Sequence, residues 1–377
     1  MAGEPFYDRT TTVLVHVMNN FKYNFLIIPV FLCFNSCSDT NCNIPEKRFN
    51  EFPKVISLTG RNIPEIKNDF FALQMGLKDS LLIFCDYENS PHFHIYELPG
   101  FKSIGSFGRQ GKGPNDIDYP VFWGQIEKTE NSYLIWFFQS NLMKQTCIDI
   151  NKYLNSNKSI PEKTFEMPPE MDASINVLKL NDSVLIGTGP DAKGEFFIYN
   201  SNSDYFEWQS FNLCGIDDIF LEKLKSNNLL SEYKMGKIKI KPDESKFVKS
   251  YIYLPVISVY NNNTELLLSI KNEQFDLPEI ENNIFSQESN IYYTNIFLTD
   301  SFIYALNQNC SLMYMGKSKD VEIDVFDWNG NAVCRYKLNE GIVASGAFAV
   351  DEPNNMIYTI NPKNDNSYYS KFQINTN

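Results

Sequence analysis

The sequence predicts an all-β protein, a six-bladed β-propeller of four-stranded antiparallel blades, from its composition and from an internal repeat. The chain is 15% aromatic, with 30 Phe and 21 Tyr, against only 21% charged residues, which favours strands over long exposed helices. A polar turn followed by a short β-rich run recurs six times. The apolar runs begin near residues 81, 133, 184, 247, 302 and 356, and such intervals are typical of propeller blades.

Each unit is predicted to be a small antiparallel sheet. The six turn-and-strand segments are 79–83, 131–135, 182–186, 244–248, 300–304 and 354–358. The clearest hairpin joins 321–327 to 332–338 through Asn329-Gly330, which predicts a type I′ turn because both residues tolerate a positive φ. Weaker hairpins follow 93–98 and 195–199.

The last unit has room for only one further strand, at 368–374. We expect residues 54–58 to supply the missing outer strand and close the ring, since closure protects strand edges. The longest interval contains 216–225, whose apolar positions recur at helical spacing. This segment is expected to be a small helical insertion that packs over one face, with a movable lid as the alternative.

The N-terminal region predicts export. A ten-residue apolar run at 25–34 follows Lys22, and it is too short to span a bilayer but suits a signal-peptide core. The order Ser36-Cys37 resembles bacterial lipoprotein signals, in which a small residue precedes a cysteine that becomes acylated. Phe34 departs from the Leu that is usual at its position. The alternative is a cytosolic protein with a buried N-terminal strand.

These features divide the chain into three parts. Residues 1–36 are predicted to be a signal peptide that truly starts at Met18, because acidic residues upstream do not fit a basic leader. Residues 37–52 are predicted to form a tether lipidated at Cys37, and residues 53–377 the propeller domain. The expected location is the cell envelope, at the outer membrane or the periplasmic face.

The charge of the chain excludes one class of partner. The formal net charge is -13, and a field of that sign repels phosphate backbones, so nucleic acid is not expected to bind. The expected partners are a membrane, through the N-terminal lipid, and a protein or glycan.

Cysteine and histidine give little sign of a metal site. The cysteines have irregular spacing without a CxxC pair, and Cys85, Cys147 and Cys334 lie in apolar runs that predict buried thiols. His92 and His94 alternate on one side of a strand and could share a metal if a carboxylate converged on them. A solvated strand edge is the more ordinary interpretation of such a pair.

The segment 102–114, followed by Tyr119-Pro120, resembles the inter-blade turn of NHL-type repeats and, more closely, the six-bladed TolB-like propeller lipoproteins of Bacteroidetes. The resemblance extends over about residues 53–377. It implies a six-bladed propeller on a lipid anchor, and it implies no agreed reaction.

The turn within that segment is glycine-rich. Its structural residues are Gly108, Gly111, Gly113 and Pro114. Their spacing matches neither a Walker A loop nor a Rossmann turn, so we interpret them as permitting a tight crossing between blades. Arg109 and Lys112 are the candidate binding residues of this rim loop, as an anion site.

Two functions from different classes remain. The first is a propeller scaffold on the envelope that binds a protein or glycan, and it leads because no catalytic constellation is visible. The second is a calcium-dependent hydrolase or lyase of the lactonase-like propeller type. Asp86, Asp300 and Asp351 lie near strand ends, where aspartate usually forms turns, so no metal site is assigned and no cofactor is predicted beyond that calcium alternative.

Overall fold

The computed structural model describes residues 45–66, 70–86, 88–156, 158, 160–171, 176–189, 193–210, 218–274, 276–314, 320–339, 346–360 and 368–374. The predicted signal peptide, Met18 and Cys37 lie outside these residues. Two N-terminal strands, β1 (Glu46–Phe49) and β2 (Val55–Asn62), precede six blades.

The blades follow one another along the chain. Blade 1 contains β3 (Gln74–Lys78), β4 (Leu81–Cys85), β5 (Phe93–Glu97) and β6 (Lys102–Phe107). Blade 2 contains β7 (Pro120–Val121), β8 (Ile126–Lys128), β9 (Tyr133–Gln139), β10 (Lys144–Asp149) and β11 (Pro161–Glu166). Blade 3 contains β12 (Asn176–Lys179), β13 (Val184–Thr188), β14 (Phe196–Asn200) and β15 (Tyr205–Gln209). Blade 4 contains β16 (Ile238–Ile240), β17 (Lys246–Ser250), β18 (Val256–Asn261) and β19 (Leu266–Asn272); a hairpin of β20 (Ile280–Glu281) and β21 (Ile284–Phe285) follows; blade 5 contains β22 (Asn290–Leu298), β23 (Phe302–Ser311), β24 (Asp320–Asp327) and β25 (Ala332–Asn339); blade 6 contains β26 (Phe348–Asp351), β27 (Met356–Ile360) and β28 (Tyr369–Gln373). Neighbouring strands within each blade pair antiparallel, with β7 and β8 both on β9.

The first strands of the blades, together with β9 of blade 2, form a closed ring around a central channel. Contacts run from β3 to β8, from β9 to β12, and then through β16, β22 and β26 back to β3. The six-bladed propeller predicted from the repeat is therefore confirmed. The second strands β4, β9, β13, β17, β23 and β27 are the six recurring runs, and they start at residues 81, 133, 184, 246, 302 and 356.

The core lies between blades. In β4 all five residues are buried, because one face of the strand packs toward blade 2 and the other toward blade 6. Leu81 and Ile83 join the cluster shared with blade 2, whereas Leu82 and Phe84 join the one shared with blade 6. A strand covered on both faces reads as a continuous apolar run, which explains why these runs stood out in the sequence.

The last blade is completed from the N-terminus, as predicted, but by different residues. Residues 60–62 of β2 pair antiparallel with β28, whereas residues 55–59 run parallel to β25 of blade 5. The predicted segment 54–58 therefore extends blade 5, because only the C-terminal part of β2 reaches blade 6. β2 joins the two blades into one sheet of eight strands.

The predicted tether of residues 37–52 is too long. β1 pairs parallel with β19 at the outer edge of blade 4, and Phe49 and Phe52 are buried against Phe326 with ring centroids 5.1 and 5.4 Å away. The composition of this segment is polar, but its two phenylalanines bury enough apolar surface to fix it on the propeller. Residues 46–52 thus belong to the folded domain.

The turn of the hairpin in blade 5 is not the predicted type I′ turn. Of the loop residues 328–331, only Gly330 has a positive φ, at 81°. Asp327 Oδ1 accepts hydrogen bonds from the main-chain N–H groups of Asn329 and Asn331 at 2.9 and 2.8 Å. This aspartate stabilises a longer loop, so Asn329 needs no left-handed conformation.

Helices occur in the connections. They are the 3₁₀ helices Ser140–Leu142 and Leu312–Tyr314 and the α-helices α1 (Ile150–Ser156), α2 (Asp218–Ser226) and α3 (Leu230–Tyr233). α2 confirms the predicted insertion, and its Phe220 and Leu224 pack with Tyr251 of the following blade while Ile219 is 83% exposed. Among the described residues, no helix combines the length and the apolar character needed to cross a membrane.

Candidate functional site at the mouth of the central channel

A cavity of about 330 Å³ opens where the first strands of the blades end. It collects residues from five of the six blades, on β3, β12, β16 and β22, in the turn after β16, and in the segment 123–128 that ends with β8. Its apolar walls include Met75, Leu77, Trp123, Ile126, Phe297 and Leu298. Charged side chains interrupt them: Lys78, Glu127, Lys128, Lys239, Lys241, Asp243 and Glu244. We call this cavity the channel mouth.

Several charges of the channel mouth are neutralised by neighbours. Lys179 Nζ lies 2.9 Å from Glu127 Oε2 and 3.3 Å from Glu244 Oε1, joining blades 2, 3 and 4. Lys128 Nζ pairs with Asp79 Oδ2 at 2.6 Å, and Lys241 pairs with Asp243. These pairs fix the rim and leave little net charge there.

Lys239 is different, because no carboxylate of the described residues pairs with it. Its ammonium group donates a hydrogen bond to the main-chain oxygen of Trp123 and lies 5.9 Å from the centroid of the indole ring. Lys237, two residues earlier, lies closer, with Nζ 4.0 Å from the same centroid. Both side chains keep some contact with solvent, yet protein atoms surround them, as a narrow channel requires.

Burial changes the acidity of both lysines. It lowers the pKa of Lys237 to about 8, and burial together with the neighbouring charge of Lys237 lowers the pKa of Lys239 to about 7. Removing an ammonium group from water disfavours its charged form, and a second positive charge adds to that effect. The channel mouth therefore contains a lysine that titrates near neutral pH.

Two glycines give the channel mouth its shape. A Cβ on Gly76 would lie 2.8 Å from the Cα of Gly124, and one on Gly124, which has a φ of 79°, would lie 2.7 Å from the main-chain oxygen of Met75. The first strands of blades 1 and 2 can approach this closely only without side chains. The same added Cβ on Gly124 would lie 3.5 Å from Lys239 Nζ, an ordinary van der Waals distance, so the need for glycine comes from blade 1 and not from the ammonium group.

The structure places Arg109 and Lys112 away from the channel mouth. Their loop joins the end of blade 1 to the start of blade 2, so it lies on the face where first strands begin. Arg109 Nη2 is 2.7 Å from Asp116 Oδ1, and the guanidinium lowers the pKa of that carboxyl group. Lys112 is exposed. An anion site in this loop stays a prediction, with Arg109 already engaged by a carboxylate.

Two of the three glycines of that loop, Gly111 and Gly113, lie against the same aspartate, whereas Gly108 lies against His92, Phe93 and Ile117. Gly108 has a φ of 91°, and Gly113 donates its main-chain N–H to Asp116 Oδ2 at 3.1 Å. A Cβ on Gly111 would lie 2.4 Å from the same Oδ2 atom. Pro114 lies in the turn that follows.

The histidine pair is not the solvated strand edge that the sequence suggested. His92 is fully buried, with Nδ1 2.8 Å from the main-chain oxygen of Asp86. The ring of His94 stacks on Phe70 at a centroid distance of 3.7 Å. That interpretation was wrong because Phe70, distant in sequence, stacks on His94, and because His92 is enclosed by the fold beside Gly108. Within the described part of the chain no three His, Cys, Asp or Glu side chains are grouped to hold a metal ion.

Two of the three aspartates considered for a metal form turns. Asp86 accepts hydrogen bonds from the main-chain N–H groups of Phe71, Glu88 and Asn89. Asp351 accepts from the main chain and side chain of Asn354. Their oxygens are therefore occupied by local donors. Cys85, Cys147 and Cys334 are buried thiols, as predicted.

Sequence reasoning missed Trp123, Lys237 and Lys239. A signal was present, because the run 237–241 reads Lys-Ile-Lys-Ile-Lys, and alternation places its lysines on one face of a strand. Lysines on an alternating strand usually face solvent. Only the ring of blades shows that this face borders the channel.

Comparisons with known proteins agree with this architecture. A family model described as TolB-like 6-blade propeller-like matches residues 67–353. The fold is similar to that of a DUF4221 family member from Bacteroides vulgatus, with 13% identity, a TM-score of 0.54, and coverage of 84% of this chain and 95% of that one. It is also similar to a protein from Bacteroides fragilis described as a candidate exported protein, with 12% identity, a TM-score of 0.53, and coverage of 88% and 99%. A search of curated proteins finds no match.

Proposed function

Since the chain belongs to the TolB-like six-blade propeller family, we propose that it is a lipid-anchored envelope protein that binds a protein or glycan ligand at the channel mouth. The observation behind this proposal is the cavity of about 330 Å³, in which apolar walls meet a few charged groups. Ligand sites of proteins typically combine such walls with a small number of polar groups in ~300–1,000 Å³. Binding also requires no catalytic constellation.

The N-terminal sequence supports the envelope location. Lys22, the apolar run 25–34 and the order Ser36-Cys37 follow the pattern of a lipoprotein signal. The description of the similar Bacteroides fragilis protein as exported agrees with this. Because β1 begins at Glu46, a lipid on Cys37 would be separated from the propeller by at most ~30 Å of extended chain.

A cysteine substitution tests the anchor. We expect the wild-type chain, expressed in a Bacteroides host, to take up radiolabelled palmitate and to sediment with membranes. The Cys37→Ala variant should incorporate no label and appear in the soluble envelope fraction, since the acyl chains are its only proposed anchor. Cys42→Ala is the matched control and should behave as wild type. Label on Cys37→Ala would contradict the proposal.

A binding panel tests the site. Soluble glycans and extended peptides are titrated against the wild-type chain and against Leu77→Ala and Phe297→Ala, which remove apolar walls of the channel mouth. A ligand bound there should lose about tenfold in affinity, which corresponds to ~1.4 kcal/mol. Ile219→Ala, at a side chain 83% exposed on α2, should bind as wild type. Unchanged affinity of both wall variants would place the ligand elsewhere.

The calcium-dependent hydrolase or lyase has no observation in its favour. Lys239 lies in the channel mouth, and its ammonium group, when protonated, repels a divalent cation. Calcium also requires six to eight oxygen ligands. We therefore expect neither EDTA nor added Ca²⁺ to shift the melting temperature. A stoichiometric rise with Ca²⁺ would revive this alternative.

A further inference from the structure

Lys239 has spare hydrogen-bond donors at the wall of the channel mouth. An ammonium group carries three N–H donors, and the main-chain oxygen of Trp123 is the acceptor that the structure gives it. Among residues 45–374 as far as the structure describes them, no carboxylate contributes to the pKa of Lys239 or of Lys237. The charge of Lys239 is therefore open to a partner in the channel mouth.

Trp123 adds a further donor at the same place. Its Nε1 atom is buried, and it has no hydrogen-bond partner within the part of the chain that the structure describes. An unsatisfied buried N–H costs about 1–3 kcal/mol, so native proteins rarely keep one. Trp123 also lines the channel mouth beside Lys239. A ligand with acceptor oxygens would satisfy both residues.

Lys237 lies over the indole ring of Trp123 but outside the channel mouth. It lies 4.0 Å from the ring centroid of Trp123 and borders a separate cavity of about 30 Å³, too small for more than a water. It is thus not placed to touch a ligand in the channel mouth. Its charge adds to the positive potential around Trp123 and Lys239, in a chain whose formal net charge is -13.

We propose that the channel mouth binds an oxyanion group, a carboxylate or a phosphate, carried by its protein or glycan ligand. Lys239 Nζ and Trp123 Nε1 donate hydrogen bonds to its oxygens, and Lys237 strengthens the local positive potential. The body of the ligand lies against the apolar walls formed by Leu77, Ile126 and Phe297. This inference rests on the proposed binding function and names the chemistry of its ligand.

Chemical protection of Lys239 tests the site with defined ions. The purified full chain is held at pH 7 in sodium phosphate, sodium acetate or sodium chloride of equal ionic strength and treated with a neutral N-hydroxysuccinimide ester. Mass spectrometry then gives the modification of each lysine. We expect phosphate, acetate or both to lower modification of Lys239 about threefold relative to chloride, while exposed Lys223 is unchanged.

The pattern of protection distinguishes the sources of the oxyanion. Protection by phosphate alone assigns a phosphate-bearing ligand, and protection by acetate assigns a carboxylate. Equal modification of Lys239 in all three solutions overturns the proposal.

Variants give an independent measurement. Phosphate or acetate should raise the melting temperature of the wild-type chain by about 2 °C or more relative to chloride. Lys239→Met should lose this rise, and Trp123→Phe, which keeps a ring but lacks the N–H, should lose at least half of it. Lys223→Met is the control and should keep it. A full rise in Lys239→Met would overturn the proposal even if Trp123→Phe folded poorly.

The two proposals can fail separately. If the ions protect Lys239 but no glycan or peptide binds, the anion site stands and the proposed function is wrong. If a glycan or peptide binds at the channel mouth without any response to phosphate or acetate, only the anion site is wrong.

Discussion

Lys239 lies at the channel mouth, where no described carboxylate pairs with it. Burial lowers the pKa of its ammonium group to about 7, with the charge of Lys237 as the second cause. The unfolded chain has no such environment, so there the lysine titrates near 10.5. Below pH 7 the Lys239 side chain is protonated in both the folded and the unfolded chain, so folding must bury its full positive charge. Between these two pKa values the unfolded chain keeps a proton that the folded chain releases, so stability rises with pH.

This linkage predicts the effect of Lys239→Met. Methionine has no charge to bury, so the variant should exceed the wild type in free energy of unfolding by ~1–3 kcal/mol at pH 6. The difference in free energy of unfolding should shrink as pH rises from 7 to 9, because Lys239 of the folded wild type then loses its proton and no charge is buried. Urea unfolding of both chains at several pH values measures this difference.

Lys223→Met is the control for that experiment, since Lys223 is exposed on α2. It should change the free energy of unfolding by less than ~0.5 kcal/mol, and this change should be the same at every pH. A Lys239→Met variant less stable than wild type at pH 6 would show that the ammonium group is structural.

A second charged residue is paired and buried. Asp324 is fully buried, and Arg335 binds it in a bidentate manner, with Nε 2.6 Å from Oδ1 and Nη2 3.0 Å from Oδ2. Burial raises the pKa of Asp324, although Arg335 opposes the shift. The carboxylate also accepts hydrogen bonds from Asn307 and Tyr293. The arginine is thus the cation that makes this burial tolerable.

Arg335→Met should therefore destabilise the protein by ~3–5 kcal/mol, since it leaves a carboxylate buried without its cation. Lys144→Met breaks an ion pair with Glu166 whose side chains are 36% and 78% exposed, and it should cost less than ~1 kcal/mol. Urea unfolding compares the two variants. Similar losses of stability in both variants would mean that the burial of Asp324 does not determine how much Arg335 contributes to stability.

At the scale of elements, the strands that read most clearly in the sequence are those buried on both faces. The second strand of each blade lies between two clusters, so its apolar run is continuous. β1 and the first half of β2 carry a weaker signal, because each covers one outer edge and keeps polar residues on its other side. For that reason the sequence pattern predicts β1 as part of the tether.

β2 offers a matched pair of substitutions. Leu58 is 1% exposed, in the cluster shared by blades 5 and 6, whereas Val55 on the same strand is 55% exposed. Leu58→Ala should lower the free energy of unfolding by ~2–5 kcal/mol and Val55→Ala by less than ~0.5 kcal/mol. Thermal unfolding gives the comparison. Equal, small losses would show that β2 does not hold these blades together.

At the scale of the whole molecule, the N-terminal segment joins the end of the chain to its middle. β1 extends blade 4, and β2 extends blade 5 and completes blade 6. Such pairing covers exposed edges of the outer strands, which otherwise invite association. The segment therefore ties three blades together at the rim.

A truncation series tests this role. A chain that starts at residue 45 should melt as the mature chain does, because it keeps both strands. A chain that starts at residue 54 lacks β1 and the buried rings of Phe49 and Phe52, so its melting temperature should fall by ~5 °C or more. Should the two truncated chains melt together, β1 would contribute nothing to the fold.

The sequence by itself determined the number of blades, the position of every second strand, the helical insertion and the contribution of an N-terminal strand to the last blade. These features follow from local patterns, namely apolar runs, turn residues and periodicity. The register of β2, the burial of His92 and the channel mouth were decided only by the tertiary structure. Lys239 and Trp123 are 116 residues apart in sequence, and they meet because closing the ring brings the first strands of distant blades to one axis.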